Sequence, residues 1–126
     1  MYENILYEVA DGVATITLNQ PDKRNALSHA MLDDLVDAFG KAKVDPEVRV
    51  AVLTGAGDVF SAGGDLSGFS QDVPLAHKHY ASMRFVQVFR AIAELGKPTI
   101  CKANGHVVAG GLGIALACDL VGSSDQ

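Results

Sequence analysis

The sequence predicts an α/β protein in which short strands and longer helices alternate along the chain. Three observations carry that expectation. Between Val13 and Leu18, Ala14, Ile16 and Leu18 alternate with Val13, Thr15 and Thr17, the two-residue period of a half-buried strand. Met31, Leu32, Leu35, Val36 and Phe39 instead recur at helical spacing. Glycine-rich runs then follow directly on apolar, strand-like segments.

The elements read in order. A first strand over Ile5 to Val9 meets Asp11-Gly12, a hairpin-type turn, before the strand from Val13 to Leu18. Asn19-Gln-Pro-Asp22 breaks that strand. Ser28 is placed to cap a helix running to about Lys43, with Asp33, Asp34 and Asp37 on its wet side. Asp45-Pro46 stops it. Val48 to Thr54 is apolar apart from Arg49, as expected for a strand covered on both faces. After Gly55-Ala-Gly57-Asp58 and a polar loop through Pro74, Leu75 to Leu95 reads as a second helix. Its expected core stripe is Tyr80, Met83, Val86, Phe89 and Ile92. Gly96 and Lys97-Pro98 close it. Thr99 to Ala103 is a further buried strand, Val107 to Ala117 is expected to hold a third helix, and Asp119 to Gly122 begins another strand.

That order suits an open doubly wound sheet, and it suits equally a spiral of repeated strand–strand–helix units. Periodicity does not choose between them. No internal repeat or low-complexity tract interrupts residues 1–126, which read as one domain.

Composition narrows the function classes. An apolar fraction of 48% with 20% charged residues describes a packed globular chain rather than a disordered one. The formal charge of −5 and the lack of a basic stripe argue against nucleic acid as a partner. No apolar run approaches the ~20 residues that span a bilayer, so no membrane partner is expected. Met1 to Asn4 carry no basic leader, and the expected location is cytoplasmic. Cys101 and Cys118 lack a CxxC spacing and read as reduced, buried thiols. His29, His77, His79 and His106 form no metal pattern, so no metal site is expected.

Two glycine-rich elements could carry chemistry: Phe60-Ser-Ala-Gly-Gly-Asp-Leu66 and Asn104-Gly-His-Val-Val-Ala-Gly-Gly-Leu-Gly113. The second enters a helix near Ala109 or Gly110. A helix start exposes unpaired N–H groups and the positive end of the macrodipole. Glycine there lets a ligand oxygen approach without meeting a Cβ. One donor from each element, converging on one oxygen, is the physical form of an oxyanion hole. The competing reading gives these glycines only to tight turns and close helix–strand packing. Phosphate-cradle motifs are incomplete, and no G-x-S-x-G elbow occurs.

Those two elements, with the closing Ala117-Cys-Asp-Leu120, resemble the core motifs of the enoyl-CoA hydratase/isomerase (crotonase) family. Val13-Ala-Thr-Ile-Thr-Leu-Asn-Gln-Pro-Asp-Lys-Arg-Asn-Ala-Leu27 resembles its first strand and CoA-binding turn, and Val50-Ala-Val-Leu-Thr-Gly55 fits the same register. The resemblance implies a crotonase-like spiral of repeated β-β-α units. It implies that the backbone N–H groups of Gly64 and Gly110 polarise the thioester carbonyl of an acyl-CoA substrate. Lys23, Arg24 and Ala26 would lie along the CoA moiety, with Lys23 or Arg24 near its phosphates. Ala62, Asp65 and Leu66 would line the adenine and pantetheine channel. Coenzyme A is part of the substrate, and no separate cofactor is expected.

One position departs from the pattern. Family hydratases commonly carry a glutamate where this chain has Gly113, so one of the paired carboxylates that position and activate water is missing. Family members are also about twice this length, with C-terminal helices that complete the acyl pocket and build trimers or hexamers. The expectation is therefore a chain truncated before those helices, with its general acid/base beyond Gln126. Hydration of a 2-enoyl-CoA or a shift of its double bond is the leading activity, and decarboxylation or dehalogenation uses the same enolate. A non-catalytic subunit that binds CoA thioesters is the rival class, and a nucleotide-binding domain is a lesser third.

Overall fold

The structure, a computed structural model, describes residues 2–57, 59–61, 75–103, 106–107 and 120–123, with side chains for 2–57, 60–61 and 83–102. Its first unit is the expected hairpin. Strand β1 (Ile5–Ala10) runs antiparallel to β2 (Val13–Leu18), with Ile5 opposite Leu18. Asp11 (φ 52°) and Gly12 (φ 82°) both sit in the left-handed region, the geometry a two-residue hairpin turn requires. Helix α1 (His29–Val44) follows, and the Ser28 hydroxyl accepts from the Met31 N–H as its N-cap.

The later units repeat a scheme. Strand β3 (Val50–Gly55) adds to β2 in parallel, and β4 (Val59–Ser61) leaves that sheet. After helix α2 (Leu75–Ala93), β5 (Thr99–Ala103) pairs in parallel with β3, while β6 (His106–Val107) pairs in parallel with β4. Strand β7 (Leu120–Ser123) then extends the large sheet, whose order is β1-β2-β3-β5-β7. Each turn of chain thus contributes one strand to a five-stranded sheet, and two turns contribute to a separate ribbon of β4 and β6. A single doubly wound sheet has no place for that ribbon. The arrangement is the spiral of β-β-α units.

One face of the large sheet is the core. Ile16, Leu53 and Cys101 lie side by side on β2, β3 and β5, and all three are buried. Against them α1 places Met31, Leu32, Leu35, Ala38, Phe39 and Ala42. Cys101 is buried and forms no disulfide among the described residues, as expected, and Cys118 lies outside them.

Three expectations need correction. Val50, Val52 and Thr54 of β3 are only half-buried, so the strand is sealed on one face and not on both. Of the expected α2 stripe, Ile92 is buried and Phe89 packs partly buried against the core. Met83 and Val86, however, are 48% and 53% exposed, while Val88 of the helix and Leu95 just after it are buried. A strict spacing of three falls short of the 3.6-residue turn, so the stripe drifts around the helix and only its end at Phe89 and Ile92 meets the core. Val107 belongs to a strand, and residues 108–117, where the rest of a third helix is expected, lie outside the described residues.

The end of α1 is closed from a distance. The Lys97 ammonium donates to the carbonyls of Ala42 (2.7 Å) and Asp45 (2.8 Å), placing a cation where the helix leaves acceptors unpaired. Gly96, at φ 74°, turns the chain after α2 so that Lys97 arrives there. Lys97→Met should therefore lower the unfolding free energy by about 1–3 kcal/mol, the usual loss for hydrogen bonds to a charged group. Lys97→Arg should recover most of it. Urea unfolding followed by circular dichroism reads both, and a neutral Lys97→Met would remove this residue from the account.

Candidate functional site

The parallel strands β2 and β3 end together, Leu18 beside Gly55, and two loops leave from that carboxyl edge. In parallel sheets the crevice outside the carboxyl ends is where ligands bind. Residues 19–26 make up the first of the two loops. The N–H of Ala56 donates to Leu18 O at 2.7 Å, so the second loop starts pressed against the first. Gly57 continues that approach. A Cβ built there would stand 3.1 Å from the Cβ of Pro21, and its φ of +81° also excludes most side chains.

The turn itself is tightly wound. Pro21–Lys23 make a single 3-10 turn, with the Lys23 N–H donating to Gln20 O at 3.0 Å. Arg24 (φ 56°) and Asn25 (φ 53°) are both left-handed, a conformation that costs ordinary residues roughly 1–2 kcal/mol each. Lys23 and Arg24 are exposed, and Ala26 is half-buried. The turn thus presents two cations to solvent on a backbone with little freedom.

Asn25 supplies the restraint, and its role is not evident from the spacing of the sequence. It is fully buried. Its side-chain oxygen accepts from the Gln20 N–H (2.8 Å), and its amide donates to Ala56 O (2.9 Å). Its own backbone carbonyl accepts from the Ser61 hydroxyl at 2.9 Å, in a fully buried contact. One residue therefore joins the turn, the loop after β3 and the end of β4. On the other side, the Gln20 side chain donates to Glu3 O and Asn4 Oδ1, while Asn4 donates twice to the Asp34 carboxylate of α1. Asp34, expected to be merely solvated, holds that clamp.

Strands β4 and β6 form the separate ribbon to which Ser61 ties the turn. Val59 faces His106 and Ser61 faces Val107, with an irregularity between the two pairs on β4. Bulges of this kind are common beside active sites, where they redirect the chain. Of the residues proposed from the sequence, Lys23, Arg24 and Ala26 come together on the described turn. Ala62, Gly64, Asp65, Leu66, Gly110 and Gly113 lie outside the described residues. Among the described residues no group of His, Cys, Asp and Glu is arranged to hold a metal, and no helix is long and apolar enough to cross a membrane.

A separate groove of about 530 Å³ opens between β1 and α1, lined by Tyr2, Ile5, Leu6, Tyr7, Glu8 and Lys41. Burial, first, raises the Tyr7 phenol above its ordinary pKa. Burial and then the Asp37 hydrogen bond push Tyr2 up as well. None of the residues lining this groove belongs to the turn or to the β4–β6 ribbon.

Comparison with known proteins agrees with this geometry. The sequence model described as enoyl-CoA hydratase/isomerase matches residues 8–126. A Thermus thermophilus protein that bears the name enoyl-CoA hydratase is 44% identical over 111 residues, covering 86% of this chain and 44% of that protein. The 4-chlorobenzoyl coenzyme A dehalogenase-1 of an Arthrobacter species is 38% identical over 130 residues, covering 98% of this chain and 46% of the dehalogenase. The crystal structure of an enoyl-CoA hydratase/isomerase from Xanthobacter autotrophicus Py2 superposes with a TM-score of 0.90 at 34% identity, covering 98% of this chain and 46% of that one. The chain belongs to the enoyl-CoA hydratase/isomerase family and has the crotonase fold. It spans a little under half the length of these relatives.

The approach of Gly57 to Pro21 gives a direct test of how the two loops pack. Gly57→Ala should cost about 1–2 kcal/mol from the left-handed backbone, and more if Pro21 does not yield. Thermal unfolding measures it. A variant as stable as the unmodified chain would mean that the two loops are not packed as described.

Proposed function

We propose that this chain supplies the thioester-holding part of an acyl-CoA-processing enzyme of the enoyl-CoA hydratase/isomerase type. The observation that carries the reading is the parallel pairing of β4 with β6, Ser61 opposite Val107. Gly64 and Gly110 each follow their paired residue by three positions in the sequence. Three residues of chain reach at most about 10 Å, a span that allows one N–H from each segment to meet at a common oxygen.

In this reading the N–H groups of Gly64 and Gly110 donate to the thioester carbonyl. Drawing charge onto that oxygen acidifies the adjacent carbon and holds the enolate formed when its proton leaves, and each such donor is worth ~10²–10³ in rate. Lys23 and Arg24 take the CoA phosphates from the rigid turn, where fixed cations lose little entropy on binding. Ala26, Ala62, Asp65 and Leu66 line the path of the nucleotide and pantetheine arm. The substrate brings its own coenzyme A, and the reaction uses no further cofactor. The Arthrobacter relative, named for a chlorinated aromatic thioester, fits the same scheme, since a polarised thioester carbonyl serves both chemistries. Family resemblance supports a homotrimer or hexamer acting in the cytoplasm.

Acyl-CoA should bind at least about tenfold more tightly than the free acid, because the acid forgoes the phosphate contacts and brings a carboxylate to a hole shaped for a neutral carbonyl. Calorimetry with acyl-CoA, CoA and the acid reads this directly. Equal or tighter binding of the acid ends the proposal.

Gly113 sets the expected reaction. A double-bond shift moves one proton off and back, for which one base suffices, whereas hydration divides its work between two carboxylates in family hydratases. The complete parent enzyme should isomerise a 3-enoyl-CoA faster than it hydrates a 2-enoyl-CoA, and Gly113→Glu should raise hydration. Dominant hydration that Gly113→Glu leaves unimproved would falsify the one-carboxylate argument. Thioester binding with no turnover of either substrate would favour the binding subunit, which the missing carboxylate also suits.

A further inference from the structure

Coenzyme A is a long ligand, and two cations at one end fix its thioester only if their support is fixed to whatever holds the other end. The turn at 20–26 has such a connection. Asn25 reaches Gln20 within the turn, Ala56 after β3 and Ser61 at the end of β4, by contacts of 2.8, 2.9 and 2.9 Å. Both Asn25 and Ser61 are fully buried. Buried hydrogen bonds resist bending and water exchange, so the distance they set is held. Ser61 is also the residue of β4 that pairs with Val107 of β6. The Ser61 hydroxyl thus joins the ribbon to the turn, and the Asn25 amide joins the turn to the loop after β3.

We propose that Asn25 and Ser61 are a positioning pair that sets the separation between the Lys23-Arg24 cations and the β4–β6 ribbon, and hence where the thioester carbonyl falls. The inference rests on the CoA-thioester reading above. Neither side chain touches the reacting atoms. Their effect runs through placement, where an error near 1 Å can cost ~10²-fold in rate. The left-handed φ of Asn25 belongs to the same device, because it turns the carbonyl toward Ser61 while the side chain points to Ala56. Asparagine tolerates that conformation better than most residues.

A cinnamoyl thioester of coenzyme A provides the readout, since its absorption band moves to longer wavelength when its carbonyl is polarised. The shift is measured at saturation, which separates it from affinity, and CoA affinity is measured by calorimetry. Ser61→Ala removes the hydroxyl. Asn25→Gly removes the amide but keeps the left-handed backbone accessible. Ser61→Ala should lose more than about half of the shift while CoA affinity changes by less than about threefold, the split expected when placement fails and binding persists. Asn25→Gly also frees the turn that carries Lys23 and Arg24, so it should lose the shift and weaken CoA binding together. Ser61→Thr, which restores a hydroxyl, should recover the shift. The positioning role is overturned if both variants keep the full shift, or if in Ser61→Ala shift and CoA affinity fall in parallel with the melting temperature. If the unmodified chain binds no thioester, or binds it with no shift, the function reading itself fails, and that result is distinct from a normal parent with normal variants.

Discussion

Burying the carboxamide of Asn25 is only tolerable if its polar atoms find partners, since an unpaired buried amide costs about 1–3 kcal/mol by mutational measures. The rest of the described site can be seen as the set of partners that meets this demand. Gln20 and Ala56 take up the side chain, and Ser61 takes up the carbonyl. Satisfying them requires the turn, the loop after β3 and the end of β4 to converge. The exposed pair Lys23-Arg24 is then carried on a support that does not move independently of the ribbon. A cation on a free loop would have to be ordered by its ligand, and this one is already ordered.

The spiral explains why such convergence is available. Successive turns lay β3 beside β5 in the large sheet and β4 beside β6 in the ribbon. Segments distant in sequence but equivalent in the repeat therefore leave the strands at neighbouring points. The same logic serves stability elsewhere. Lys97, at the entry to β5, closes the end of α1 from the first turn, so the layers are tied by charge as well as by the apolar core.

What could be read from the sequence was governed by local chemistry. Asp11-Gly12 announced its turn because few residues accept consecutive left-handed angles, and Ser28 announced α1 because a hydroxyl there can cap the third N–H. The family motifs brought Gly64 and Gly110 to attention before any geometry was known. Asn25 and Ser61 gave no such signal, because their partnership spans 36 residues and a lone asparagine in a basic turn reads as solvated. Strands β4 and β6, of three and two residues, are too short to show a period. In α2, Met83 and Val86 looked like core because apolar spacing says nothing of which arc of a helix has a neighbour. Asp34 looked wet for the same reason, until Asn4 arrived beside it.

The brevity of the ribbon has an entropic side. Val59 with His106 and Ser61 with Val107 close loops of 47 and 46 residues, and a pair of strands this short would not persist alone in water. Loop closure of that size is unfavourable, and little pairing is gained in return. The ribbon's order is therefore lent to it by the layers that bring its ends together. A substitution deep in α1 or β5, touching no ligand, can loosen the carboxyl edge simply by letting successive turns drift apart.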